Sequence, residues 1–136
     1  MFDFIVCDDE MIFAKNIVKI IDNIFIKNDF EYSTKIFNNY DKEFDKIIKD
    51  NSKVKIYILD IEMKGPISGI DIARKIREND WNSIIIMLTS HSEMGYEVLK
   101  AQIMVLDFIS KFDNYKERLE KAIKKATDQA SNKGYI

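Results

Sequence analysis

The chain has 136 residues, 46% of them hydrophobic and 32% charged, with 21 basic against 23 acidic side chains and a formal net charge of -2. That length suits one compact domain, the apolar share excludes a disordered chain, and the scattered charge excludes a basic surface for nucleic acid. A single cysteine, Cys7, excludes an intrachain disulfide, and no apolar run approaches the roughly 20 residues that cross a membrane.

Two periods of apolar spacing alternate along the chain. Phe2 to Val6 is short, apolar and rich in β-formers, and it ends at Cys7-Asp8-Asp9. Phe13, Ile17, Ile20, Ile21 and Ile24 then fall on one helical face. Phe30 to Phe37 reads as a second strand, and Tyr40, Phe44, Ile47 and Ile48 mark a short second helix. Val54 to Leu59 is a nearly unbroken apolar run ending at Asp60, followed by helical spacing at Ile70, Ala73 and Ile76. Ile84 to Leu88 ends at Thr89, and a helix is expected from Ser92 to Lys100. Val105 to Ile109 reads as a fifth strand ending at Ser110-Lys111, and Tyr115, Leu119, Ala122, Ile123 and Ala126 mark a last helix.

Strict alternation of strands and helices predicts an α/β fold, a doubly wound five-stranded parallel sheet with helices on both faces. The two solid runs suit central strands buried on both sides. Residues 1–130 form the expected domain, and 131–136 read as a frayed tail or the start of a linker. Trp81 precedes the fourth strand, which places it at the sheet edge away from the strand carboxyl ends. Met63, Met87, Met94 and Met104 read as packing, and Cys7 as a small buried residue of the first strand. Met1-Phe2-Asp3 lacks the charged-then-apolar order of a secretory signal. With one cysteine, a reducing cytoplasm is the expected compartment.

In such sheets ligands bind beyond the carboxyl ends of the strands. Asp8 and Asp9 follow the first strand, Asp60 the third, Thr89 and Ser90 the fourth, and Lys111 the fifth. Three convergent carboxylates repel one another and call for a counter-charge. A hard divalent cation such as Mg²⁺ supplies it through oxygen ligands. Thr89 and Lys111 are suited to donate to phosphoryl oxygens. The set is built to hold Mg²⁺ and a transferring phosphoryl group, with one carboxylate as nucleophile.

Phe4-Ile5-Val6-Cys7-Asp8-Asp9-Glu10, Leu59-Asp60-Ile61-Glu62-Met63, Thr89-Ser90 and Asp107-Phe108-Ile109-Ser110-Lys111 resemble, in that order, the response-regulator receiver (CheY-like, flavodoxin-like) family. Thr89-Ser90-His91-Ser92-Glu93 and Met104-Val105-Leu106-Asp107-Phe108-Ile109 carry a finer likeness to accessory-gene-regulator-type (AgrA-like) regulators, which usually continue into a LytTR DNA-binding domain. The resemblance implies a two-component signalling switch. Asp60 would be the phosphoacceptor, Asp9 a direct Mg²⁺ ligand, Asp8 a ligand through water, and the backbone carbonyl of Glu62 a further ligand. Thr89 and Lys111 would bind phosphoryl oxygens, and Phe108 would be the aromatic switch. A sensor histidine kinase is the implied partner. A homodimer through the fourth helix, fifth strand and fifth helix is a further implied contact, and DNA would be reached only through an output domain that this chain lacks.

Glu62 and His91, two residues beyond Asp60 and Thr89, are expected to rim the site and tune the lifetime of the phosphorylated state. Two positions depart from the family pattern. Met63-Lys64-Gly65-Pro66-Ile67-Ser68-Gly69 carries one residue more before the glycine, and Phe112 stands where proline often follows the lysine. Two rival readings remain. A Mg²⁺-dependent aspartyl-phosphate phosphatase would use Glu62 as general acid, but no inserted cap is present to build a substrate pocket. A pseudo-receiver would act without phosphorylation, against which the complete acceptor set argues.

Overall fold

The computed structural model describes residues 1–28 and 30–132. The strands are β1 (Phe2–Cys7), β2 (Tyr32–Phe37), β3 (Lys55–Asp60), β4 (Ile84–Thr89) and β5 (Asp107–Ser110). The helices are α1 (Met11–Phe25), α2 (Lys42–Lys49), α3 (Gly69–Asn79), α4 (Gly95–Lys100) and α5 (Tyr115–Asn132). All strands run parallel in one sheet of order β2-β1-β3-β4-β5, the doubly wound arrangement expected from the alternation.

Alternate residues of each strand serve opposite faces. Phe4, Val6, Ile56, Ile58, Ile86 and Leu88 pack beneath α1 and α5 with Ile17, Ile21, Leu119 and Ile123. Ile5, Cys7, Tyr57, Leu59, Ile85 and Met87 meet the helices of the other face through Phe44, Ile48, Ala73, Ile76 and Val98. Every residue of β3 and β4 is buried, as two-sided coverage requires. Even Lys55 is buried at the start of β3. Its ammonium donates to the carbonyls of Ile47, at 2.8 Å, and Asp50, where α2 ends.

Several boundaries differ from the sequence reading. β2 begins at Tyr32 rather than Phe30, whose ring packs edge-on against Phe2 instead. The segment from Ser92 opens as a 3-10 turn over Ser92–Met94 before α4 begins. α5 continues through Asn132, two residues into the stretch read as tail, and residues 133–136 lie outside the described residues. β5 starts at Asp107, two residues later than expected. Met104 is 71% exposed, whereas Met63, Met87 and Met94 do pack in the core cluster under α2 and α3.

The last two differences share a cause. Gln102 and Met104 adopt positive φ, 56° and 54°, which bends the chain between α4 and β5 and turns Met104 outward. Arg77 on α3 holds that bend. Its guanidinium donates to the carbonyls of Ile103 (2.7 Å), Met104 (2.8 Å), Ser83 (2.7 Å) and Asp80 (3.1 Å). Arg77 itself is 7% exposed. A planar fork with five donors matches divergent carbonyls in a way that an ammonium does not. Arg77→Ala should therefore cost about 3 kcal/mol, since it leaves several buried acceptors without donors. Arg77→Lys should recover less than half of the loss. Chemical denaturation of both variants checks this.

Candidate functional site

The sheet order brings the predicted side chains together. β1 and β3 are neighbours whose following helices cover opposite faces, so a crevice opens beyond their carboxyl ends. Cys7 pairs with Leu59, which sets Asp8 beside Asp60 one residue further on. Asp60 pairs with Leu88 and Thr89 with Ser110, and the Lys111 amide donates to the Thr89 carbonyl at 2.8 Å. One carboxylate oxygen from each of Asp8, Asp9 and Asp60 lies within 4.8 Å of the others.

Asp8, Asp60 and Lys111 are all buried. The Lys111 ammonium lies 2.9 Å from Asp8 Oδ2, 3.5 Å from Asp60 Oδ2 and 3.6 Å from Glu10 Oε1. It also sits 4.2 Å from the centroid of the Phe13 ring, a cation–π contact. The 2.9 Å approach is an ion pair without hydrogen-bond alignment. Among the described residues, Asp8 Oδ2, Asp60 Oδ1 and Lys111 Nζ have no hydrogen-bond partner. The Glu10 amide donates to Asp8 Oδ1 at 2.8 Å and the Lys64 amide to Asp9 Oδ2 at 2.9 Å.

The charge balance is unfavourable for the carboxylates. Burial, reinforced by the charge of Asp8 and opposed by Lys111, pushes the Asp60 carboxyl up to about 7. Burial also raises Asp8, against the Glu10 amide and Lys111. Burial alone would lower Lys111, but Asp8 and Asp60 outweigh it and hold the ammonium above its ordinary value. Burial, then the charges of Asp8 and Asp60, pushes the Cys7 thiol up to about 12, so it is unreactive, as its core reading implied. Buried carboxylate oxygens with no donor, beside others bound only by backbone amides, fit a hard divalent cation that ligates through oxygen.

A second group adjoins the first. The Thr89 hydroxyl donates to Glu62 Oε1, and the Ser90 amide donates to Glu62 Oε2 at 3.2 Å. The His91 amide donates to Thr89 Oγ1 at 2.8 Å. The His91 ring turns outward instead, 3.2 Å from Glu93 Oε1 and 59% exposed. Phe108 pairs across the sheet with Met87, two residues before Thr89 on the same face. Its ring lies against Gly95 at the start of α4. Trp81 stands between α3 and β4, beside Arg77, at the end of the sheet away from the carboxylates.

The structure thus unites Asp8, Asp9, Asp60 and Lys111 in one cluster, places Glu62 and Thr89 in contact beside it, and leaves the His91 ring apart. Sequence reasoning missed Glu10 and Phe13 as neighbours of Lys111. Their signal was position: Glu10 follows Asp9 directly as the residue before α1, and Phe13 lies in the first turn of α1, so both stay near the strand ends.

A family model described as "Response regulator receiver domain" matches residues 4–124. The chain belongs to that family. Accessory gene regulator protein A of Staphylococcus epidermidis is 31% identical to this receiver domain over 108 residues, 79% of this chain and 45% of the relative. The Staphylococcus aureus protein of the same name is 30% identical over the same extents. The aligned stretch therefore spans under half the length of these curated relatives. Among solved structures, a receiver domain protein from Clostridium thermocellum matches with a TM-score of 0.76 at 19% identity, covering 96% of this chain and 98% of that one. Response regulator protein TrrA from Thermotoga maritima, solved in complex with Mg²⁺-BeF, is 28% identical with a TM-score of 0.64, covering 91% of this chain and 98% of that one. Receiver domains are signalling domains of two-component systems rather than enzymes with separate substrates, and they generally bind Mg²⁺ at an acidic pocket. Among the described residues no helix is long and apolar enough to cross a membrane.

Proposed function

We propose that this receiver domain is a phosphorylation-controlled switch in which Asp60 takes a phosphoryl group from a sensor histidine kinase in the cytoplasm. The observation that carries the reading is the buried Asp60 carboxylate, with Oδ1 free of any donor among the described residues and a buried ammonium 3.5 Å from Oδ2. Asp9, Asp60 and the Glu62 backbone carbonyl would hold Mg²⁺, with Asp8 acting through water. When bound, the cation offsets the clustered negative charge and that of the transferring group.

Ionised Asp60 attacks the phosphorus in line. The bond from phosphorus to the donor's histidine nitrogen breaks, its electron pair stays on that nitrogen, and an acyl phosphate remains on Asp60. Lys111 then pairs with one phosphoryl oxygen, and the Thr89 hydroxyl donates to another. The movement of Thr89 is passed to Phe108, its diagonal neighbour on the same sheet face, and so to the surface of α4, β5 and α5. That surface is the proposed contact for a second copy. The likeness to accessory gene regulators supports a transcriptional output through a LytTR-type DNA-binding domain beyond this chain. The phosphatase alternative gains no support, because the carboxylate it would need as general acid is engaged by Thr89 and Ser90.

Incubation with Mg²⁺ and a small phosphodonor should add one phosphoryl group by intact mass, and chelation of the metal should prevent it. Sustained turnover of the donor without retained label would favour a phosphatase instead. Calorimetry should show Mg²⁺ binding that Asp9→Ala weakens by about tenfold or more, roughly 1.4 kcal/mol. Trp81 fluorescence should hardly respond to the metal. Saturable quenching of Trp81 by Mg²⁺ would place the binding site elsewhere.

A further inference from the structure

The contact between Glu62 and the end of β4 has a consequence for how the switch is set. Thr89 Oγ1 and the Ser90 amide are two donors converging on one place, and a single carboxylate takes both, one through each oxygen. Thr89 is fully buried and its hydroxyl also approaches the His91 carbonyl at 3.1 Å, while the His91 amide donates to it. The hydroxyl is therefore fixed in direction. A bidentate carboxylate and two oxygens of a phosphoryl group place the same demands on such donors: negative charge and two acceptors a short distance apart.

Taking the phosphoryl-accepting reading of Asp60 as its basis, we infer that Glu62 is a carboxylate latch: in the unphosphorylated domain its side chain occupies the donors of Thr89 and Ser90 that the phosphoryl group will use. Glu62 leaves the same strand end as Asp60, two residues on, so an arriving phosphoryl group meets it at close range. The two anions cannot share one pair of donors. The latch holds the Thr89 hydroxyl on Glu62 before phosphorylation and must be displaced before Thr89 can move to engage the phosphoryl group. Glu62 is a positioning residue in this role, acting on the reaction through Thr89.

The test uses Mg²⁺ with beryllium fluoride as a phosphoryl stand-in, titrated by calorimetry into four proteins: wild type, Glu62→Ala, Thr89→Ala and the double variant. Releasing a charged hydrogen-bonding competitor should tighten binding by about tenfold in Glu62→Ala. The gain should vanish when Thr89 is already Ala, because the latch then has lost its main donor. Glu62→Gln, which keeps an acceptor but not the charge, should fall between wild type and Glu62→Ala. An equal gain in both backgrounds would mean simple like-charge repulsion and would overturn the latch. No gain, or weaker binding in Glu62→Ala while the wild type binds, would overturn it as well. If the wild type fails to bind the pair, the phosphoryl-accepting reading falls first and the latch with it.

Discussion

In metal-free buffer the stability of the wild-type domain is expected to fall by about 4 kcal/mol as pH rises from roughly 4 to 8, and Asp60→Asn to remove most of that slope. The sign follows from Asp60. Burial and the neighbouring Asp8 raise its carboxyl from 3.8 to about 7. Between those values the folded chain holds a proton that the unfolded chain has lost. A group raised in this way stabilises the fold below its unfolded value, and the contribution disappears as pH climbs through its folded value. Asp8, also raised, adds to the same trend. Lys111 is raised too, but its contribution is lost only above its ordinary alkaline range, outside this window. Asp71 is lowered by the Ser68 amide and hydroxyl at the start of α3, so its contribution is lost only on acidification below the window. Denaturant titrations with a chelator present, at several pH values, read the slope. At pH 8 Asp60→Asn should be the more stable protein, and added Mg²⁺ should narrow the gap by binding wild type preferentially. A flat profile in wild type would mean that Asp60 is not held in a charge-poor environment.

The second large effect is at Gly69. A Cβ there would stand 2.1 Å from the Asp60 carbonyl oxygen, 2.8 Å from the Asp60 carbonyl carbon and 2.8 Å from Ile61 Cα. All three are backbone atoms of the strand end that carries Asp60, and none can rotate away. The approach is also fixed from α3, where the Gly69 amide donates to the Ile61 carbonyl at 2.9 Å and Ser68 and Asp71 form a reciprocal capping box. Gly69→Ala should cost about 3 kcal/mol or more and should slow phosphoryl uptake, because relief of the clash moves the peptide of Asp60. Gly65 is the control within the same loop. Among the described residues nothing lies within 4 Å of a Cβ at that position, so Gly65→Ala should change stability by no more than about 0.5 kcal/mol. Equal denaturation midpoints for the two variants would contradict the account of this loop.

The contrast between these glycines also shows where sequence reasoning ran out. Met63 to Gly69 stood out as one residue longer than the family pattern, but spacing could not say which glycine the fold needs. That depends on how closely α3 packs on the end of β3. The strand ends were legible because short apolar runs stop at Asp8, Asp60 and Thr89, and the sheet rule then gathers them. Arg77 was not legible. An arginine inside a helical pattern reads as an exposed charge until the carbonyls of Ile103 and Met104 are seen turned towards it. The late start of β5 was hidden for the same reason, since Val105 and Leu106 are apolar enough to read as strand. The pairing of Glu62 with Thr89 joins residues 27 apart, and no local pattern announces it. At His91 the backbone and the ring part ways: its amide donates to Thr89, while its exposed ring lies beside Glu93, a division that proximity in sequence could not announce.

Whether Asp60 accepts the phosphoryl group can be read by intact-mass analysis. Wild type and Asp60→Asn would be incubated side by side with Mg²⁺ and a small phosphodonor. Asp60→Asn is expected to fold, since it removes a buried negative charge, so lack of label in that variant could not be blamed on unfolding. The account predicts one added phosphoryl group on the wild type and none on Asp60→Asn. Equal labelling of the two proteins, or no labelling of the wild type with Mg²⁺ present, would contradict it.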